Sequence, residues 1–139
     1  MENMFNDDVR QHLSFIQGVI TRMNSNSFSM KGWMVAIVSA LLAVYAANAD
    51  ADNAFLYFIA AIMADIIFFF LDAYYLKMEK QYRDLYDKVR GNPVETNFDM
   101  DASCFSRTLF EALKSKSVWI LYFAVFLLLV AGLVLVVHN

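Results

Sequence analysis

Residues 54 to 90 read AFLYFIAAIMADIIFFFLDAYYLKMEKQYRDLYDKVR, and this stretch decides the fold. It holds neither Gly nor Pro until Gly91. Its first part, Ala54 to Leu76, is mostly apolar, and at about 1.5 Å rise per residue it is long enough to cross a hydrocarbon core of roughly 30 Å. The second part is densely charged, so one helix is expected to leave the membrane and project into water. Asp65 and Asp72 interrupt the apolar part. Asp65 falls near mid-membrane and Asp72 about two turns from the charged end. An ionisable side chain at that depth costs at least ~2.5–3.5 kcal/mol, which makes it a functional candidate.

Composition supports the same class. The chain has 139 residues, 60% of them hydrophobic, with four Gly and one Pro. That is too apolar and too helix-permissive for an ordinary soluble domain, and the length suits a single domain. Cys104 is the single cysteine, so no disulfide framework or thiolate metal site arises, and it reads as a small packing residue. The acidic start, MENMFNDDVR, lacks the basic and apolar regions of a signal peptide.

Working outward, Phe5, Val9, His12, Leu13, Ile16, Val19, Ile20 and Met23 recur at three- and four-residue spacing. They predict an amphipathic helix capped by Asp7 or Asp8, whose apolar face either lies at the membrane interface or packs on the charged extension of the long helix; packing is favoured, because Arg10 and Arg22 are too few for a lipid-surface helix. His12 reads as a packed histidine. Asn24-Ser25-Asn26-Ser27 predicts a turn or cap, followed by a first span over about 30–47. The small residues Ala36, Ser39, Ala40 and Ala43 on that span predict an internal packing element. Asn48 to Asn53 is an acidic loop. The second span covers 54–76, and Gly91-Asn92-Pro93 stops its helix. Residues 94 to 102 read as loop, and Asp101 or Ser103 as the cap of a second amphipathic helix carrying Phe105, Leu109, Phe110 and Leu113. A third span runs over 118–137, aliphatic all round and expected to face lipid. The fold class is therefore all-α: a polytopic membrane protein with three transmembrane helices and amphipathic helices over 1–29 and 77–117, bundled as a homo-oligomer.

Orientation follows from the basic residues. All 11 lie before the first span (Arg10, Arg22, Lys31) or between the second and third (Lys77, Lys80, Arg83, Lys88, Arg90, Arg107, Lys114, Lys116). Positive-inside bias then puts the N-terminus in the cytoplasm and the C-terminus in the periplasm. Trp33, Tyr74, Tyr75 and Trp119 fall at the inner interface, with Tyr45 and Tyr57 at the outer one.

No Gly-rich phosphate loop, nucleophile elbow or His/Cys ligand cluster is present, so the chain does not read as an enzyme and calls for no metal or cofactor. Chemistry rests on the carboxylates. Asp65, Asp72 and Glu79 are spaced by heptads and share one face of the long helix, with Ile62, Phe69 and Leu76 close to it. Asp72 has Lys31 or Arg22 as a candidate partner. Asp65 has no basic residue at its depth and only the hydroxyls of Ser39, Tyr45 and Tyr122 as candidates. One protomer is too small to enclose a path, but several copies with the long helices innermost are not. Asp65, Asp72, Phe69 and Ile62 are then the pore-lining candidates, and Phe68 with Phe69 the hydrophobic gate. On the charged extension, Lys77, Lys80 and Arg83, with Arg22 and Lys31, are candidates for holding a phosphate-bearing regulator, and its tyrosines for stacking bases.

Two segments carry a resemblance. Arg22 to Trp33 matches R-M-x-x-N-S-F-x-x-K-G-W, and Leu71 to Tyr86 matches L-D-x-Y-Y-L-x-x-E-x-x-[FY]-R-x-L-Y. Together they resemble small bacterial inner-membrane proteins, some of them membrane effectors of anti-phage systems. One such type is the Hailong system, in which a membrane channel is paired with a nucleotidyltransferase that makes a nucleic-acid oligomer signal. The resemblance implies a channel in a bacterial inner membrane, gated from the cytoplasmic side by a nucleotide or nucleic-acid oligomer, whose opening depolarises an infected cell. The residues themselves leave two alternatives: a non-conducting adaptor that docks a cytoplasmic partner, and a proton-coupled transport subunit using Asp65.

Overall fold

The computed structural model describes residues 2–51, 53–95 and 97–138. Asp52 of the acidic loop, the tail residue Asn139 and the side chain of Phe5 lie outside that description. Helix α1 spans Glu2–Ala47 and α2 spans Phe55–Gly91. A 3-10 turn at Pro93–Glu95, a short α3 at Leu109–Leu113 and α4 at Lys116–His138 complete the order, with no strand among the described residues. Three of these helices, α1, α2 and α4, are long and apolar enough to cross a membrane. The protein is an all-helical membrane protein.

Helices α1 and α2 form a long antiparallel hairpin, and α4 packs on α2. The 46 residues of α1 reach about 70 Å at the standard rise. Two apolar cores fill the hairpin at different heights. In the charged half, Val9, Ile16 and Ile20 of α1 meet Leu85 and Val89 of α2, with Tyr82, Tyr86 and Phe105 packed around them. This is the expected docking of the N-terminal stripe on the charged extension. In the apolar half, Met34 and Val38 of α1, Phe58, Ala61 and Ala73 of α2, and Val118, Tyr122 and Leu129 of α4 form one cluster. The α2 helix ends as expected: the Asn92 N–H bonds to the Lys88 carbonyl, Pro93 cannot continue the helix, and Lys88 and Arg90 complement the C-terminal dipole.

Close packing of α2 and α4 depends on Gly132. A Cβ there would run into the ring of Phe58, itself buried and held edge-on to Tyr45 at 4.8 Å. We therefore expect Gly132→Ala to lower stability by about 1–3 kcal/mol, the usual cost of overpacking, measured by denaturant titration in detergent. Gly18 offers a control, because a Cβ there meets nothing within 4 Å.

Four expectations are corrected. First, α1 is one helix from Glu2: it passes straight through Asn24–Ser27 without a turn, and Asp7 and Asp8 lie inside it rather than capping it. The polar side chains there do not cap. Ser29 Oγ donates to the Ser25 carbonyl at 2.9 Å, an i−4 bond compatible with a continuing helix, and Ser27 is used by α2. Second, Ala36, Ser39, Ala40 and Ala43 face outward, while the larger Met34, Val38, Leu41 and Leu42 pack inward. Third, α3 starts only at Leu109, capped by Thr108, whose side chain accepts the Glu111 N–H at 3.2 Å. Asp101 is instead one step of a ladder in which Asn97, Asp99 and Asp101 each accept the amide two residues on. Such local bonds offer the backbone an alternative to helix. The Ser103 amide and hydroxyl hold the Asp101 carboxyl below its usual range. Fourth, Cys104 is exposed in this loop and does no packing.

The loop is tied to α2 by Arg107, which grips Asp84 through two bonds of 2.7 and 2.8 Å, while the Gln81 amide donates to the Phe105 carbonyl at 2.9 Å. The Arg107 hydrogen bond holds the Asp84 carboxyl below its usual range. A carboxyl whose folded pKa is depressed gives its stabilisation above the unfolded value, near 3.9, and loses it as pH falls through the folded value. Arg107 is 41% exposed, so solvent screens the tie and it holds the loop rather than the whole fold. Protection factors over residues 97–108, corrected for the intrinsic pH dependence of exchange, should fall as pH drops below the ordinary carboxylate range, and Arg107→Ala should lower them at pH 7.

Candidate functional site

The two carboxylates of the second span sit on one face of α2 but have different surroundings. Asp72 is fully buried. Ser27 Oγ donates to its Oδ1, and Lys31 Nζ lies 2.5 Å from its Oδ2. Lys31 also donates to Ser27 Oγ at 3.2 Å. Ser27 and Lys31 are four apart, so an unbroken α1 presents both on one face toward α2. A turn at residues 24–27 would have separated them from Asp72. The cluster is neutral as a pair and hydrogen-bonded, the condition under which a charge is tolerated away from water. It joins two stretches far apart in the chain, Ser27 and Lys31 from α1 and Asp72 from α2.

Asp65 lies two turns deeper. It is 2% exposed, and its Oδ1 has no hydrogen-bond partner. Among the described residues no cation pairs with it, in contrast to Asp72. It lines a cleft of about 220 Å³ between α2 and α4, with Ile66, Phe69, Trp119, Tyr122, Phe123 and Phe126. Tyr122 stands between the two carboxylates. Its hydroxyl is buried without a regular hydrogen bond and is within electrostatic reach of both Asp72 and Asp65. Glu79, the third heptad carboxylate, is buried and bound by Arg83 through contacts of 2.8 and 2.7 Å.

The remaining candidates fall as follows. Ile62, Phe68 and Phe69 pack against the apolar core of the protomer, and the Phe69 ring meets that of Tyr122 at 5.6 Å. Phe70 points outward. Of the five cations considered for a regulator, Lys31 and Arg83 are committed to Asp72 and Glu79. Arg22 is exposed and Lys77 and Lys80 are half-buried, with no ion pair to any of the three among the described residues. The structure brings together Asp65, Asp72 and Lys31 and leaves Arg22, Lys77 and Lys80 on the charged half of the hairpin.

Sequence reasoning missed Ser27 as a ligand of Asp72, having read it as a cap. The available signal was the i,i+4 pairing of a hydroxyl with Lys31. It also missed the surroundings of His12. That ring is buried, its Nε2 has no hydrogen-bond partner, and it meets Phe98 edge-on at 5.6 Å. Phe98 holds φ 58°, a left-handed conformation that a bulky residue adopts only when its surroundings impose it.

No group of three His, Cys, Asp or Glu residues among those described could hold a metal ion. The chain matches no family model, and no curated protein or solved structure matches it.

Proposed function

We propose that the protein is an oligomeric, cation-preferring channel of a bacterial inner membrane, with Asp65 as the carboxylate that the ion meets. The observation that carries this reading is the contrast between two carboxylates on one helix face. Each has one buried oxygen without a regular hydrogen bond, but that of Asp72 lies against the Lys31 ammonium, whereas among the described residues no cation stands beside Asp65. A buried polar atom without a partner is costly, and such groups are retained where function needs them. An oligomer is required because three helices packed on side chains leave no path through one protomer. Phe68 and Phe69 lie one turn from Asp65 on the same helix, and in the assembled channel their rings form the hydrophobic constriction beside it.

In this reading the charged hairpin is cytoplasmic and receives the signal. Helices α1 and α2 run unbroken from it into the apolar region and are fastened at the Lys31–Asp72 pair. A ligand that shifts the hairpin therefore shifts the spans as well. Arg22, Lys77 and Lys80 supply charge for a nucleotide or nucleic-acid oligomer made by a partner nucleotidyltransferase. Opening would depolarise the cell as an anti-phage response.

The test is single-channel recording in planar bilayers with asymmetric KCl, with and without oligonucleotides on the basic side. Discrete cation-selective openings are expected, and silence under every condition would remove the channel. Asp65, as a lone carboxylate in apolar surroundings, also favours a second reading, a proton-coupled transport subunit. Current that follows the proton gradient rather than the K+ gradient would identify it.

A further inference from the structure

The cleft beside Asp65 has the properties of a binding site, independent of whether the protein conducts. Its lining is aromatic and aliphatic except for the Asp65 carboxylate and the Tyr122 hydroxyl. It opens sideways between α2 and α4, because the rim residues Ile66, Trp119 and Phe123 are exposed, with Phe123 at 52% and Trp119 at 42%. The rings of Trp119 and Phe123 are 6.0 Å apart, and those of Phe69 and Tyr122 are 5.6 Å apart. Asp65 is almost wholly removed from solvent and lines this cleft from behind its apolar wall, with its occluded Oδ1 unpartnered. A negative group enclosed by aromatic faces is the arrangement that recognises an organic cation, through charge on one side and ring quadrupoles on the other.

The same chemistry argues against an inorganic ion as a resident ligand. Hard cations take six or more oxygen ligands, and this cleft offers one carboxylate and one hydroxyl. A cation whose charge is shielded by hydrocarbon loses little hydration on entry. The volume, about 220 Å³, is below the roughly 300–1,000 Å³ that encloses a drug-sized molecule. It therefore takes the charged centre and the nearest substituents, while the rest lies among lipid chains. Asp65 is at the centre of the apolar run of α2, too deep for a lipid headgroup.

We infer that the α2–α4 cleft is a binding site for lipophilic organic cations, quaternary ammonium or phosphonium compounds that enter from the bilayer, with Asp65 as counter-ion and Trp119, Tyr122 and Phe123 as the aromatic wall. Binding needs no open pore, so this site and the channel are tested separately.

The probe is tetraphenylphosphonium, titrated into the full chain in lipid nanodiscs. The chain has two Trp residues, so in a Trp33→Phe background the fluorescence reports Trp119 alone. Saturable quenching is expected, together with heat in calorimetry. Asp65→Asn should weaken binding at least about tenfold, the effect of removing one charged partner. Phe123→Leu, at an exposed ring that folding does not need, should weaken it about 3- to 30-fold. Tetraphenylborate, of the same shape and opposite charge, should not saturate. Non-saturable quenching, or equal affinity for the borate, would overturn the site. So would Asp65→Asn binding as wild type. If Asp65→Asn does not fold, unchanged affinity in Phe123→Leu overturns it alone.

Discussion

Lys31→Met should be among the most destabilising single substitutions in the chain, costing about 3–5 kcal/mol, because it leaves Asp72 as a buried, unpaired carboxylate. The carboxylate has 0% exposure and cannot reach water by a rotamer change. Its remaining polar neighbours, the Ser27 and Tyr122 hydroxyls, are neutral and do not compensate the lost charge. Because the pair fastens α1 to α2 at the junction of the two cores, the hairpin should loosen at both heights. Lys31→Met/Asp72→Asn removes both charges and keeps an acceptor for Ser27, so it should recover most of the loss. Denaturation of the full chain in mixed micelles, followed by circular dichroism, measures both. If Lys31→Met is neutral, the two groups are not an ion pair and the fastening role of Asp72 fails.

Asp65→Leu should act in the opposite direction. An unpartnered polar group in an apolar site costs roughly 1–3 kcal/mol by protein mutational data, and its removal returns that amount. The leucine side chain is larger than the carboxylate it replaces, but the open cleft beside it accepts the extra volume. We expect stability to rise by about 1–3 kcal/mol in the same denaturation assay, while cation preference is lost. Two aspartates seven residues apart thus give opposite signs, and only their surroundings separate them. A destabilised Asp65→Leu would mean that Asp65 has a structural partner in the assembled protein.

The spans were legible because a soluble fold has little use for long apolar runs bounded by charge. The packing of Val9, Ile16 and Ile20 on the charged half of α2 was legible from period alone. The break at Asn24–Ser27 was misread because Ser and Asn cap helices as readily as they fold back on them; only the α2 partner of Ser27 decides between the two. The outward turn of Ala36, Ser39, Ala40 and Ala43 was equally hidden, since small residues ease contact without saying with what. At the site, sequence supplied Asp72 with two candidate cations, Lys31 and Arg22, and rotation of an unbroken α1 selects Lys31. The isolation of Asp65 was visible as a missing basic residue at its depth. The aromatic cleft was not, because it is built from α4 residues far away in the chain.

The division of roles, with Asp65 the functional carboxylate and Asp72 the structural one, is tested most directly by reversal potentials in asymmetric KCl. Wild type and Lys31→Met/Asp72→Asn should show the same cation preference, and Asp65→Asn should move the reversal potential toward zero. Unchanged selectivity in Asp65→Asn, or its loss in the double variant alone, would contradict that division.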